Sequence, residues 1–485
     1  MSRGRGRRRR GGPDLPNGGR LVEILFIAYF FPPVGGAGVQ RALSFARYLP
    51  EAGLSPTVIA GPPPAGERWT PADESLVGAV PEGARVHRVP GPVPQAGGRA
   101  RGRVERWLFR ASPFASWWVP SVVGLGERVA SGERLILATM SPFESGEAAR
   151  QLSGRLGIPW VADLRDPWAL DEMQVYPSAL HRRRDMRRME RLLSTASAIV
   201  MNTPEASAAL SEAFPGLRGT PVATITNGFD ASDFEGDAPQ RTDGVFRIVH
   251  TGYLHTEMGL WLRKRSHRML GGARAGVDIL TRSHARLLEA LEAWSARRPE
   301  VRGKFELVLA GSVTDGDRRI VDDSRVADAV RFSGYLSHAE SVALVRGADL
   351  LFLPMHDVAA GRRSRIVPGK TYEYMAAGRP ILAAVPDGDA RDFLERCGSA
   401  LLCRPGDVEE MVRILDTVYD GWTRGEPPVR SDDAYVARFE RRNLAGELAE
   451  VLRGLLPDVA AESSRGDATR RHRSLERAPG RSGAL

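Results

Sequence analysis

The 485-residue chain reads as an α/β protein of two doubly wound, Rossmann-like domains facing each other across a cleft. Three observations carry that reading. Short apolar runs closed by turn residues recur in both halves with helical spacing between them, which is the pattern of a parallel sheet covered on both faces. A glycine-rich loop follows the first run. A lysine and a glutamate stand three positions apart on a short helix just before another buried run.

In the first half, Leu21–Ile27 is a buried-strand pattern. It runs into Tyr29-Phe30-Phe31-Pro32-Pro33-Val34-Gly35-Gly36-Ala37-Gly38. Val39, Ala42, Leu43, Ala46 and Leu49 then fall at helical spacing. Backbone N–H groups at the start of that helix can hold an anion. The glycines are not spaced G-x-G-x-x-G and no Gly-Lys-Ser/Thr follows, so a phosphate contact and a plain tight turn both stay open. Leu135–Ala138 is another strand. The turn at Asn227-Gly228 and the polar stretch Glu235–Asp243 mark a linker, and with it a hinge between the domains.

In the second half the runs are Phe246–His250, Phe305–Ala310, Val330–Phe332, Asp349–Leu353, Pro380–Val385 and Ala400–Cys403. Several end in glycine, which leaves room for a ligand at the carboxyl edge of the sheet. Lys370–Ala377 is predicted as a helix, with Gly378 beyond its end and Pro380 as a stop. Residues three apart share a helical face. Lys370 and Glu373 therefore point into one cleft, the ammonium toward phosphate and the carboxylate toward sugar hydroxyls. The competing reading is a surface ion pair. Lysine is rare here, since Lys264, Lys304 and Lys370 are the only ones among 68 Lys+Arg, which makes Lys370 the more informative.

Read together, these segments resemble the family-4 retaining glycosyltransferases of the GT-B fold. The resemblance spans Leu21 to Leu455. It rests on the Tyr29–Gly38 loop, Ile158–Trp168, Thr224–Asp230, His250–Tyr253 and Lys370–Ile381, in that order. It implies a nucleotide-sugar donor held mainly by the C-terminal domain and an acceptor held mainly by the N-terminal one. It implies that Glu373 grips the donor ribose and that Arg282 and Lys370 face the donor diphosphate. Gly35, Gly36 and Gly38 would approach the donor from the opposite domain, with Gly252 in the matching turn of the second. Arg365 stands eight positions before Glu373, where many members carry a first glutamate, and is placed on the donor side. The loop Thr139–Glu144 lacks the histidine of many relatives.

The chemistry follows without the family. Breaking a sugar–phosphate bond develops negative charge on the leaving diphosphate, and fixed cations in a dry cleft stabilise it. No Asp-x-Asp is read as a divalent-cation site, so neither metal nor cofactor is expected. Asp166, and less so Glu144, are candidates to assist the acceptor proton. A loop carboxylate paired with Arg165 is an equal reading of Asp166.

Length suits two domains, residues 21–230 and 244–430, with a last helix at 435–455 packing back on the first. The formal charge of +9 lives in the ends: residues 1–20 hold seven Arg and one Asp, and 461–485 hold six Arg and three acids. The body is near neutral and lacks the basic stripe of a nucleic-acid module, so no nucleic acid is expected as a partner. The expected partners are a nucleotide sugar and a glycan or lipid-linked acceptor. A dinucleotide oxidoreductase is excluded by its missing fingerprint. An epimerase or hydrolase on the same fold stays as the alternative, and behind it a nucleic-acid-binding protein that uses the basic tails. No run of 18 apolar residues spans a membrane, and the two cysteines lack metal or disulfide spacing, which suits a reducing cytoplasm. Peripheral membrane contact is left open for three features. These are the tails, where plain solubilising ends are the favoured reading, the segment Trp107–Pro120 with its flanking Arg101, Arg103, Arg106 and Arg110, where a capped core loop is an equal reading, and the arginine-rich His181–Arg191, where a solvated helix face is the plainer one. Trp261–Gly276 reads as a basic flap or a long loop.

Overall fold

The apolar runs of the first half pair in a parallel sheet, and those of the second half pair in another. The structure, a computed structural model, describes residues 21–456 apart from 37, 65–70, 92–111, 240, 264–270 and 427–428. Both terminal tails, Ala37, Trp107–Arg110 and the centre of the 261–276 insertion lie outside the described residues.

The first sheet comprises β1 (Val22–Ala28), β2 (Leu54–Ala60), β3 (Arg85–Arg88), β4 (Ile136–Thr139), β5 (Trp160–Leu164), β6 (Ala198–Met201) and β7 (Val222–Thr224). Their order is β3-β2-β1-β4-β5-β6-β7. The second sheet comprises β8 (Phe246–Thr251), β9 (Phe305–Ala310), β10 (Val330–Gly334), β11 (Leu350–Pro354), β12 (Ile381–Ala384) and β13 (Ala400–Cys403), in the order β10-β9-β8-β11-β12-β13. In each, the strand order reverses beside the first strand, between β1 and β4 and between β8 and β11. Ligands bind outside the carboxyl ends of strands at such switch points.

Side-chain alternation divides the central strands between two cores, as a sheet covered on both faces requires. Leu25 and Ile27 enter one cluster with Trp118, Trp160 and Leu164, whereas Ile24, Phe26 and Ala28 enter another with Phe45. Phe246 and Ile248 pack with Trp294, and Val249 packs on the opposite face with Tyr372 and Tyr374. Trp118 is fully buried and Trp117 packs partly buried against the same core, as the core-loop reading of the aromatic segment expects of these two residues.

The chain crosses between domains twice, and the crossings touch. Phe229 N–H donates to Phe439 O at 3.1 Å, and Arg441 N–H donates to Phe229 O at 2.9 Å. Gly228 lies so close to the Phe439 carbonyl that a Cβ there would collide with it, so this glycine answers to a close backbone approach as well as to a turn. The single helix expected over 435–455 is broken. A short turn of helix spans Asp433–Val436, and the long helix is Arg441–Arg453. Phe439, at the break, packs with Phe229 in a second-domain core. Beyond it, Leu444, Leu448 and Leu452 enter the first-domain core beside Ile24, Phe26 and Phe45.

The last helix therefore completes the first domain. Leu448 is fully buried there. Leu448→Ala should cost about 2–5 kcal/mol of stability, the range for truncating a buried leucine. Chemical denaturation followed by tryptophan fluorescence measures it, and a loss under about 1 kcal/mol would contradict this placement.

Candidate active site

The β8–β11 switch point ends in His250, Thr251 and Gly252, and the Lys370–Ala376 helix packs against it. His250 is 1% exposed. Its Nδ1 lies 3.0 Å from Phe352 O, a carbonyl that can only accept, so Nδ1 carries the hydrogen and Nε2 is the acceptor. Lys370 Nζ donates to that Nε2 at 3.0 Å. Burial, and then the Lys370 ammonium, hold the His250 pKa well below the ordinary histidine range, so the ring is neutral. Gly252 has φ +92, and a Cβ there would press on Lys370 Nζ at 3.1 Å. The glycine serves both the left-handed turn and the approach of the ammonium.

Arg282 shares this space. It follows a turn of 3₁₀ helix, Ile279–Thr281, whose Asp278 cap accepts from Leu280 N–H at 3.1 Å. The guanidinium makes a contact with Met173 Sδ at 3.0 Å and no ion pair among the described residues. Burial and the neighbouring Arg282 lower the Lys370 pKa to about 7, with Glu373 opposing. Two cations thus converge at one sheet edge with no carboxylate bonded between them, the electrostatic condition for an anion site.

Glu373 lies one helical turn beyond Lys370. Its Oε1 is 3.7 Å from Arg441 Nη2, and Arg441 Nη1 is 2.7 Å from Asp230 Oδ2. Arg365 turns elsewhere. Its guanidinium donates to Leu170 O at 3.1 Å and its N–H donates to Glu172 Oε1 at 3.0 Å, so it bridges the domains. Glu172 Oε1 also accepts from His356 Nε2 at 3.0 Å and from Ser364 Oγ at 2.7 Å. Those bonds outweigh burial and bring the Glu172 pKa down to about 2. Beside it, burial and the charges of Glu172 and Asp166 push Asp171 up to about 7. His250, Asp171, Glu172 and His356 were not singled out from the sequence. Their signal is positional, since each follows or ends a strand at the cleft edge.

The first domain presents its glycine loop from across the cleft. A side chain at Gly35 would collide with the Tyr335 hydroxyl and with Asp73, and Tyr335 hydrogen-bonds to Asp73. Gly36 has φ +89, and Gly38 lies under the Arg165 guanidinium. Asp166 is exposed and sits 3.5 Å from Arg165 Nε. Glu144 is buried, and Arg188 donates to it at 3.0 Å. The expectation about Asp-x-Asp needs correction, because the triplets Asp315–Asp317 and Asp387–Asp389 both occur. Asp317 is fully buried and bonds Thr314 and Thr256, as the end of a capping box. Asp389 accepts from Glu205 N–H at 2.7 Å across the domain boundary.

Two family models match. One described as "Glycosyl transferase 4-like domain" covers residues 35–228, and one described as "Glycosyl transferases group 1" covers 276–420. Together they take in well over half of the chain, in the order of its two sheets. The chain belongs to the group 1, family-4 glycosyltransferases, and its fold is GT-B. Among curated relatives it is 26% identical to a glycogen synthase of Mycobacterium tuberculosis over 220 residues, 44% of each chain, so the match spans less than half of that relative's length. Among solved structures it resembles Anabaena HepE in complex with UDP and glucose, with TM-score 0.56, 16% identity and coverage of 90% of this chain and 100% of that one. It also resembles sucrose-phosphate synthase of Thermosynechococcus elongatus, with TM-score 0.53, 16% identity and coverage of 94% and 100%.

The environment of Lys370 gives this glycosyltransferase a pH signature. Free Lys370 titrates near 7, and a bound diphosphate favours its ammonium, so its pKa rises on binding. Affinity for a nucleoside diphosphate is then full below about pH 7 and falls as pH rises from 7 toward 9, by at most about tenfold per unit for one proton. The ligand's own phosphate, with a second pKa of about 6, is already ionised there. Calorimetry across this window should show the decline in the wild type and a flat line in Lys370→Met. A flat line in both would remove Lys370 from the anion site.

Proposed function

We propose that the protein transfers a sugar from a nucleotide-sugar donor to a glycan, lipid-linked or other cell-envelope acceptor with retention of configuration. The observation that carries this reading is the pair of cations Lys370 and Arg282 at the β8–β11 switch point, neither of them ion-paired among the described residues. The binding of UDP and glucose by HepE and the glycan chemistry of the glycogen synthase support it.

In this reading the leaving diphosphate sits against Lys370 and Arg282, whose charge matters more as the sugar–phosphate bond lengthens. The Gly252 turn and the Gly35–Gly38 loop let backbone approach the donor from either side. Glu373, steadied by Arg441, accepts from the ribose hydroxyls, and Arg365 holds the donor-side loop against the first domain. The acceptor attacks from the face of the leaving group, whose phosphate takes its proton with Asp166 at hand. Lysine and arginine supply the positive charge that a metal would otherwise bring. Among the described residues no helix is long and apolar enough to cross a membrane. Work at the cytoplasmic face, with peripheral contact, suits an acceptor anchored in lipid.

Lys370→Ala should lower the rate about 10²–10³-fold, the loss seen when one preorganised charge stabiliser is removed, with part of it in kcat. Glu373→Gln should act mainly on donor affinity, about ten- to a hundredfold, as for a charge-assisted hydrogen bond. Steady-state kinetics with a panel of nucleotide sugars separates the two. Full activity in folded Lys370→Ala would end this reading.

A further inference from the structure

A second cationic site lies beside the cleft. A cavity of about 590 Å³ is walled by Arg182, Arg183, Arg187, Arg274 and Arg362, with Met186 and the small residues Gly271, Ala273 and Ala275. That volume is in the range of small-molecule sites. Among the described residues five guanidiniums line it and no carboxylate does.

The helix Ala179–Leu193 builds one wall. Arg183 and Arg187 are four apart, and so are Arg182 and Met186, so both pairs share a face. Like charges at that spacing destabilise a helix unless something compensates them. The helix's own two acids do not: Glu190 forms no ion pair among the described residues, and Asp185 is engaged elsewhere. Asp185 Oδ2 accepts from Trp168 Nε1 at 3.0 Å and from Tyr176 OH at 2.6 Å. Arg188, which has a partner in Glu144, is not part of the lining.

The lining arginines bond only carbonyls or nothing. Arg182 donates to Gln174 O and Gly272 O at 3.0 and 2.8 Å, Arg274 to Leu170 O at 3.4 Å, and Arg362 to Ala275 O at 3.4 Å. Arg183 and Arg187 form no ion pair among the described residues. Arg182 Nη1 and Arg274 Nε are buried without any partner. The carboxylates whose charge reaches Arg274 are engaged elsewhere, Asp171 with Met173 N–H and Glu172 with His356, Ser364 and Arg365. The cavity adjoins the cleft, because Leu170 O accepts from both Arg274 and Arg365.

We propose that this cavity holds the phosphate or diphosphate group of a phosphorylated acceptor, a site distinct from the donor diphosphate site at Lys370 and Arg282. Planar guanidiniums suit phosphate oxygens bidentately, and several can surround one dianion. The assignment as acceptor rests on the transferase reading above. The anion site itself rests on the cavity. It also divides the face His181–Arg191: Arg183 and Arg187 line the pocket, whereas Arg184 and Arg191 are exposed outside it, as a solvated helix face requires.

The test is calorimetric titration of the full chain with octyl diphosphate, a soluble stand-in for a lipid-linked diphosphate. Two sites are expected in the wild type. Arg183→Ala/Arg187→Ala, at exposed positions that leave the fold intact, should weaken one of them by roughly tenfold or more, while nucleoside diphosphate affinity stays unchanged. Lys370→Ala should remove the other. A single site lost only in Lys370→Ala overturns the proposal. So does an unchanged octyl diphosphate titration in the double variant accompanied by lost binding to equimolar phosphatidylglycerol–phosphatidylcholine vesicles, which would make the arginines a lipid-surface contact. A wild type that binds octyl diphosphate in the pocket but no nucleoside diphosphate in the cleft would instead count against the transferase reading alone.

Discussion

Arg441 is the interaction on which the arrangement of the cleft depends. It is 5% exposed and begins the helix that returns to the first domain. Its guanidinium reaches Asp230 at 2.7 Å, Gln40 at 3.2 Å and Glu373 at 3.7 Å. It thus joins the outgoing crossing, the first helix of the first domain and the donor-side helix of the second. Asp230 is anchored from the other side by Tyr48 OH at 2.6 Å, and Arg441 above all, with Tyr48, holds its carboxyl below the usual range against the effect of burial. A buried charge network of this kind contributes little net stability. Its effect is positional. Breaking one member leaves the others buried and unpaired, so the two domains keep one relation at this corner.

A second buried pair gives the first domain its rigidity at the cleft. Arg41 Nη2 is 2.6 Å from Asp163 Oδ1, both side chains are almost fully enclosed, and Arg41 Nη1 donates to Thr226 O at 2.8 Å. The carboxyl end of β5 is thereby tied to the start of the crossing. Against these ion-paired charges, the cations at Lys370 and Arg282 lack a carboxylate partner among the described residues. His250 sharpens the contrast, because a neutral ring orients the ammonium without cancelling it. A carboxylate there would orient it equally well and extinguish the positive potential that an anion site needs.

Central strands such as β1, β8 and β11 were legible because they bury both faces and so show as unbroken apolar runs, whereas the edge strands Arg85–Arg88 and Val222–Thr224, half-buried or exposed, were not. The Lys370 helix was legible from its own punctuation: it spans Lys370–Ala376, and Gly378 takes φ +61 just beyond it. The one-piece final helix was not, because its apolar spacing continues through Tyr435 and Phe439 while those residues serve a different domain from Leu444 and Leu448. Periodicity records that a face is buried and says nothing of which core it meets. Arg441 was invisible for a related reason: its partner Asp230 is 211 positions away, and arginine is common in this chain. The roles of Glu172 and His356 exist only once two separate sheets are brought edge to edge.

The same distinction between core and edge contacts says where the cleft can give way. At the two crossings, Phe229 exchanges backbone bonds with Phe439 and Arg441 and packs into an apolar cluster. Away from them the domains meet through polar contacts, Asp73 with Tyr335 and His338 N–H, Thr203 Oγ1 with Arg365 O, Asp389 with Glu205 N–H and Arg363 with Glu205, and through one small apolar cluster in which Met173 and Val175 pack with Leu262, Ile279 and Ile366. Water can replace each such bond at small net cost, whereas parting Phe229 from its cluster exposes apolar surface with no compensation. Glu172 adds an asymmetry. Its Oε2 and the Nδ1 of His356 are buried without partners, so separation of the domains would return to those atoms the hydration they lack when the cleft is closed. Opening about the Phe229–Arg441 crossing therefore breaks mainly polar contacts, among them the Arg363–Glu205 ion pair, together with the small Met173 cluster, and it relieves the buried unpartnered atoms of Glu172 and His356.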